Sequence, residues 1–355
     1  MAANHIMKNA KEFSLHLPLQ NDSQETTASS SPDRRQFLRQ LCAGTLAAAG
    51  LPVAAGGALA VPLEASGAPG ANPTAAPVPG TLGPIPQVTI AGVRVPRLII
   101  GCNPMGGWSH QIRNMTLAMT DYFTLENTVA FLKRCEGFGL DLWISFWDPK
   151  ALKALKTLWA EGSKMRTYFL GTLDPSGKLS KDIMEYKPVF YLHHGNSTDY
   201  LFQGGKQEQV HDFVKKVHDE LGIPAGVSAH NPDVFKYIEE KGWEVDVYQT
   251  CFYYVTRPKK EIRAKLGGAM LGEPFLDTDR DEMIKVIQQV KKPCFAFKIL
   301  GAGWHCETDY AVEDAFQYAL TRIKKTDAII VGMWPKYKDE ITQNVQLLQK
   351  YGTLA

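Results

Sequence analysis

From residue 85 onward the chain alternates between short apolar runs and longer segments whose apolar residues recur every three or four positions. The first segment, 87–96, has a different rhythm. Gln-Val-Thr-Ile and Val-Arg-Val-Pro flank Ala91-Gly92, and strand-like alternation on both sides of a two-residue turn predicts a hairpin. Apolar runs then follow at 97–102, 140–146, 165–170, 188–194, 225–230, 245–254, 294–303 and 327–333. Helical spacing fills the intervals, at about 122–138, 149–162, 206–221, 231–241, 279–291, 309–324 and 337–350. Leu125, Val129 and Leu132 share one helix face, as do Leu152, Leu155 and Leu158. A short helix is expected at 180–187. Segment 255–278, with Gly267-Gly268 and Gly272-Glu273-Pro274, predicts a loop or short helix over one end of the molecule.

Runs that are apolar on both faces are the mark of buried parallel strands. Parallel strands need crossover helices, and eight strand–helix units close into a (β/α)8 TIM barrel, here a single domain over 85–355 with the hairpin at its start. An open doubly wound sheet is the alternative, but no unit opens with the Gly-x-Gly-x-x-Gly turn of a dinucleotide fold. Ligands of such barrels bind at the carboxyl ends of the strands. Those ends carry Asn103, Trp108, His110, His193, His194, Ser228, His230, Gln249, Tyr253 and Tyr254. Lys298 stands out because it interrupts an apolar run, Phe295-Ala-Phe297-Lys-Ile-Leu300. Strict alternation puts it on the face of Ala296, opposite Phe295 and Phe297. A lysine at a barrel mouth can act as base, Schiff-base amine or anion clamp; the structural reading is an amine paired with a carboxylate on a neighbouring strand.

The first 84 residues lack this organisation. Residues 1–32 are polar. Asp33-Arg34-Arg35-Gln36-Phe37-Leu38 then leads into a weakly apolar Gly- and Ala-rich run ending Ala58-Leu59-Ala60. This resembles a bacterial twin-arginine export signal over 1–60, followed by a Pro-, Ala- and Gly-rich linker over 61–84. The resemblance implies the twin-arginine translocation machinery as a partner and a periplasmic or secreted mature chain. The run is too weakly hydrophobic, and too broken by Gly and Pro52, to form a stable membrane span after cleavage. The remaining cysteines, Cys102, Cys135, Cys251, Cys294 and Cys306, show no Cys-x-x-Cys spacing, and no disulfide framework is expected. The chain has 355 residues and a formal charge of +2. Its lysine pairs are scattered, so no nucleic-acid footprint is present and the expected ligand is a small molecule.

Several short motifs in 87–350 resemble the aldo/keto reductases, in particular divergent bacterial members. Arg97 through Gly107 is similar to that family's first strand and Gly-rich turn, and Tyr191-Leu-His-His194 to its fourth-strand motif, with His194 at the catalytic histidine. Gly226-Val-Ser228 and Asp246-Val-Tyr-Gln249 resemble the motifs whose Ser and Gln hold a nicotinamide amide. Phe252 falls where a ring stacks on nicotinamide. Leu300, Gly301 and Gly303 match the loop near the pyrophosphate, and Asn344 lies in the helix that closes on the adenosine end. The resemblance implies NADP(H), loaded before export if bound at all, and a small carbonyl or polyol substrate.

The rest of that family's catalytic set is missing. Ile144 or Ser145 stands where its Asp should be, no Tyr lies in the following helix, and the third strand ends Gly171-Thr172-Leu173 rather than in Lys. The catalytic candidates left are His194 and Lys298. The alternative chemistry is a His- and Lys-based lyase, isomerase or hydrolase on sugars, with a divalent metal at His110, His194 and His230 as one version. A non-catalytic binding protein is the third reading.

Overall fold

The computed structural model describes residues 82–354. The expected export signal and residues 61–81 of the expected linker lie outside the described residues. β1 (Gln87–Ile90) and β2 (Val93–Pro96) form the antiparallel hairpin, with Gln87 opposite Pro96 and Ile90 opposite Val93. Eight parallel strands follow: β3 (Leu98–Gly101), β4 (Leu142–Ser145), β5 (Arg166–Gly171), β6 (Tyr191–His193), β7 (Ala225–Ala229), β8 (Val247–Cys251), β9 (Cys294–Phe297) and β10 (Ala328–Gly332). They pair in sequence order, and β10 returns to β3 to close the barrel.

Alternation sorts the side chains into two cores. Ile99, Leu142, Ile144, Tyr168, Phe190, Leu192, Val247, Phe295 and Ile330 fill the barrel interior. Val88, Ile90 and Val95 of the hairpin join that cluster, so the hairpin plugs the end at which the strands begin. The alternate positions, among them Leu98, Ile100, Trp143, Phe169 and Ala296, pack outward against the helices. Cys102, Cys135, Cys251 and Cys294 are free and buried, and serve as small core side chains. Among the described residues no helix is long and apolar enough to cross a membrane.

Helix starts follow local capping chemistry. Asp148 accepts from the backbone N–H groups of Lys150 and Ala151 and starts helix Pro149–Ala160, with Pro at its first position. Thr124 caps Leu125–Gly137 in the same way. Two helices depart from the pattern read in the sequence. Arg113–Tyr122 has no wholly buried residue, so it offered no apolar stripe to detect. Gly195–Gln203 begins directly after His194 and is separate from Glu208–Lys216, which ends in a π turn over Val217–Leu221. β9 stops at Phe297, and residues 298–303 are loop and one 3-10 turn rather than strand.

Candidate functional site

All eight strands point the same way, so their carboxyl ends open on one mouth. Three segments bring its central group together. The turn after β3 supplies Asn103 and His110, the residue after β9 is Lys298, and the excursion after β8 supplies Glu273. His110 Nδ1 lies 2.9 and 3.0 Å from the two Glu273 carboxylate oxygens. Its Nε2 lies 2.7 Å from Lys298 Nζ and 2.9 Å from Asn103 Nδ2. A carboxylate only accepts, which assigns the imidazole proton to Nδ1 and leaves the Nε2 lone pair to the lysine and amide donors.

The electrostatics follow from enclosure. Burial pushes the Lys298 amine below its ordinary value, and the Glu273 carboxylate opposes this only in part. Burial also lowers His110, its hydrogen bond to Glu273 opposes that, and the neighbouring Lys298 charge adds to the lowering. Burial alone would raise Glu273, but the hydrogen bond from His110 and the positive charge around it outweigh burial and hold the carboxyl below its usual range. A desolvated amine beside an accepting imidazole gives up its proton more readily than a solvated lysine does, and the neutral amine is the nucleophilic form.

The backbone is strained at the same place. His110 sits at φ +57° and Lys298 at +58°, in the left-handed region that costs an L-residue about 1–2 kcal/mol. The two residues that hydrogen-bond to each other are thus both held in costly conformations, as functional groups often are. The kink at Lys298 also corrects the sequence reading. Alternation placed Lys298 with Ala296, which faces the helices. The left-handed turn instead swings its amine onto His110.

A second histidine is fixed from the opposite side. Asp199, fully buried in helix Gly195–Gln203, accepts from the His230 backbone N–H (3.0 Å), His230 Nδ1 (2.8 Å), the Asn231 backbone N–H (3.1 Å) and Thr256 Oγ1 (2.8 Å). The carboxylate only accepts, so a proton sits on His230 Nδ1 and the Nε2 atom is the one left facing away from Asp199. Gly195 leaves room for these side chains, since a Cβ there would stand 3.0 Å from both His230 Cε1 and Ser228 Oγ. His194 immediately precedes helix Gly195–Gln203, as its N-cap, and keeps an exposed surface. Burial and the nearby His230 push it down to about 4, so it is neutral at neutral pH. His193 is the exception among the expected pocket residues. It points behind β6, packs edge-on to Phe213 at 5.1 Å and hydrogen-bonds Thr198 Oγ1 at 2.7 Å. Alternation explains this, because Leu192 takes the interior position.

The positions matched to a nicotinamide site have protein partners in this structure. Gln249 Oε1 accepts from Tyr168 at 3.0 Å, and its Nε2 donates to Ser228 Oγ at 3.2 Å. All three side chains are buried, so the Ser228–Gln249 pair spends its amide groups inside the barrel. Phe252 is wholly buried in the outer core, edge-on to Tyr318 at 6.3 Å, and presents no face for stacking. Asn344 is buried in helix Glu340–Tyr351. Leu300, Gly301 and Gly303 belong to the loop beyond Lys298, where Tyr253 and His305 meet at 2.7 Å. Trp108 stands exposed on the rim after β3.

Among the described residues no group of three or more His, Cys, Asp or Glu side chains is arranged to hold a metal ion. Lys298 occupies the His110 lone pair that a metal would need. Glu273 and Asp199 were not found from the sequence. The only signal for Glu273 was an acid in a Gly-Glu-Pro turn, and for Asp199 a polar residue in an unread helix.

No family model matches this chain, and no curated protein matches it. Among solved structures, that of Gox0644 in its apo form aligns over 77% of this chain and 97% of its own, at 9% identity and a TM-score of 0.45. Dihydropteroate synthase of Xanthomonas albilineans, in complex with indole-2-carboxylic acid and 6-chloroguanine, aligns over 75% of this chain and 97% of its own, at 13% identity and a TM-score of 0.40. Both likenesses concern overall shape, and the barrel assignment rests on the strand order itself.

Proposed function

We propose that this protein is an enzyme of lyase or isomerase type that acts on a small carbonyl compound through a covalent imine on Lys298. One observation carries the reading: a desolvated lysine amine 2.7 Å from a histidine Nε2 whose far side is anchored by a carboxylate. In the first step Nζ attacks the carbonyl carbon. His110 Nε2 takes an amine proton, the resulting imidazolium is stabilised by Glu273, and the proton passes to the former carbonyl oxygen. Loss of both amine protons with that oxygen releases water and forms the imine. Once protonated, the imine draws electrons from the adjacent C–H or C–C bond. His230 Nε2 would take the C–H proton or, for C–C cleavage, the proton of a hydroxyl on the departing carbon, which then leaves as an aldehyde or ketone; Asp199 holds the His230 tautomer. Reprotonation at carbon and addition of water return the lysine and release product.

A nicotinamide-dependent reduction has less support, because Ser228, Gln249 and Phe252 are engaged elsewhere. Lysine chemistry also suits the proposed export of the chain, since it needs no soluble dinucleotide. The test is to incubate the protein with a panel of small aldehydes, ketones and 2-keto acids plus sodium cyanoborohydride, then map adducts by peptide mass spectrometry. A reduced adduct at Lys298, formed faster than at surface lysines and absent in Lys298→Met, is the expected result. Labelling of surface lysines with Lys298 untouched across the panel overturns the proposal.

A further inference from the structure

Two loops at the mouth share a pattern. Gly106-Gly107-Trp108 follows β3, and Gly301-Ala302-Gly303-Trp304 follows β9; these strands lead to His110 and Lys298. Both tryptophans are open, Trp108 at 44% and Trp304 at 57% exposure. Single exposed apolar residues are ordinary, but Trp108 is seated on bare backbone. A Cβ on Gly106 would lie 2.6 Å from Cε3 and Cζ3 of Trp108, so the six-membered half of the indole rests directly on the glycine. Phe146 holds the same ring edge-on at 4.9 Å. On the other loop Gly301, Ala302 and Gly303 all take left-handed φ values, +56°, +53° and +98°, and lead the chain straight into Trp304. Gln111 Nε2 joins the loops by donating to the Ala302 carbonyl at 2.9 Å, and a Cβ on Gly303 would press on it at 2.8 Å. β10 lies between β9 and β3, and its loop adds Trp334 and Tyr337 with rings 5.4 Å apart.

We infer that the substrate of the Lys298 site is a neutral sugar, with its C–H faces on Trp108 and Trp304 and its open-chain carbonyl at the Lys298 amine. The inference rests on the lysine reading above and adds the substrate class. A sugar has C–H groups of slight positive charge, which suit the negative face of an indole, and a rim of hydroxyls. Asn103, Gln111 and His305, in the same two loops as the tryptophans, carry donors and acceptors of the kind hydroxyls pair with. A flat aromatic aldehyde could use the indoles but carries no hydroxyls to pair with the remaining donors and acceptors of those groups. Phosphorylated or acidic sugars are disfavoured because the Glu273 carboxylate stands behind the His110 ring, on the side away from the amine, and adds negative charge to the same site.

Calorimetric titration of the Lys298→Met protein separates binding from chemistry. The probes are aldopentoses, aldohexoses, ribose 5-phosphate and benzaldehyde. At least one neutral aldose is expected to bind more tightly than the other two classes. Trp108→Ala and Trp304→Ala, each made in the Lys298→Met protein, should weaken that aldose about tenfold, and Trp108→Phe should restore part of the loss. Three results overturn the inference: no neutral aldose binds, ribose 5-phosphate or benzaldehyde binds more tightly, or the tryptophan variants bind the aldose unchanged. Failure of the lysine reading is seen separately, as absence of the cyanoborohydride adduct on wild-type protein with the small aldehydes.

Discussion

If Lys298 is held in a strained conformation for the sake of its amine, replacing it should reverse a familiar order of stability. In most positions alanine is more stable than glycine by about 0.4–1 kcal/mol, because glycine has more freedom to lose on folding. At φ +58° the alanine Cβ meets the left-handed penalty of about 1–2 kcal/mol, which glycine escapes. The difference predicts that Lys298→Gly is more stable than Lys298→Ala by about 0.5–1 kcal/mol. Both variants lose the amine, its desolvation and its hydrogen bond to His110 equally, so those effects cancel in the comparison. Urea titration of each variant, compared at equal m-value, reads the difference; a thermal melt would show a shift of about 1–4 °C. Ala296→Gly, two residues earlier in regular strand, is the internal control and should lose stability in the ordinary direction. Equal stability of the two Lys298 variants, or the alanine form being the more stable, would refute the claim that strain is stored at this residue.

Two further predictions concern the polar groups around the site. His193 is pushed down to about 3 from an ordinary 6.5, so the folded chain keeps it neutral while the unfolded chain takes up a proton as pH falls below 6.5. Stability is therefore lost on acidification through that window, by about 2 kcal/mol from this residue between pH 7 and pH 5; denaturation at both pH values should show the loss, and His193→Gln should remove that part of it. Tyr168→Phe deletes the donor to Gln249 Oε1 and leaves a buried acceptor unpaired, which should cost about 1–3 kcal/mol in urea titration; a change under half a kcal/mol would mean that Gln249 finds another partner.

The periodicities of this sequence determined the architecture. Apolar runs of strand length, separated by helix-spaced segments, specify local structure, and parallel strands with crossover helices leave few ways to close. The same logic put Asn103, His110, His194, His230, Gln249 and Lys298 near one end, because strand direction fixes which residues come last. What the sequence left open was which of these groups face each other. Glu273 meets His110 across 163 positions of chain, and no local pattern encodes that pairing. Asp199 reaches His230 from a helix that carries no marked apolar stripe. Motif matching placed Phe252 on a cofactor and left Ser228 and Gln249 free to bind one, whereas packing buried the first against Tyr318 and Tyr168 took up the Gln249 carbonyl. At Lys298 a single left-handed residue overrode alternation and turned an outward position inward. Local sequence sets dihedral preference and burial, which are properties of neighbouring residues. The partner of a buried polar group is set by the three-dimensional closure of the barrel, and the chemistry of this mouth lies in those partners.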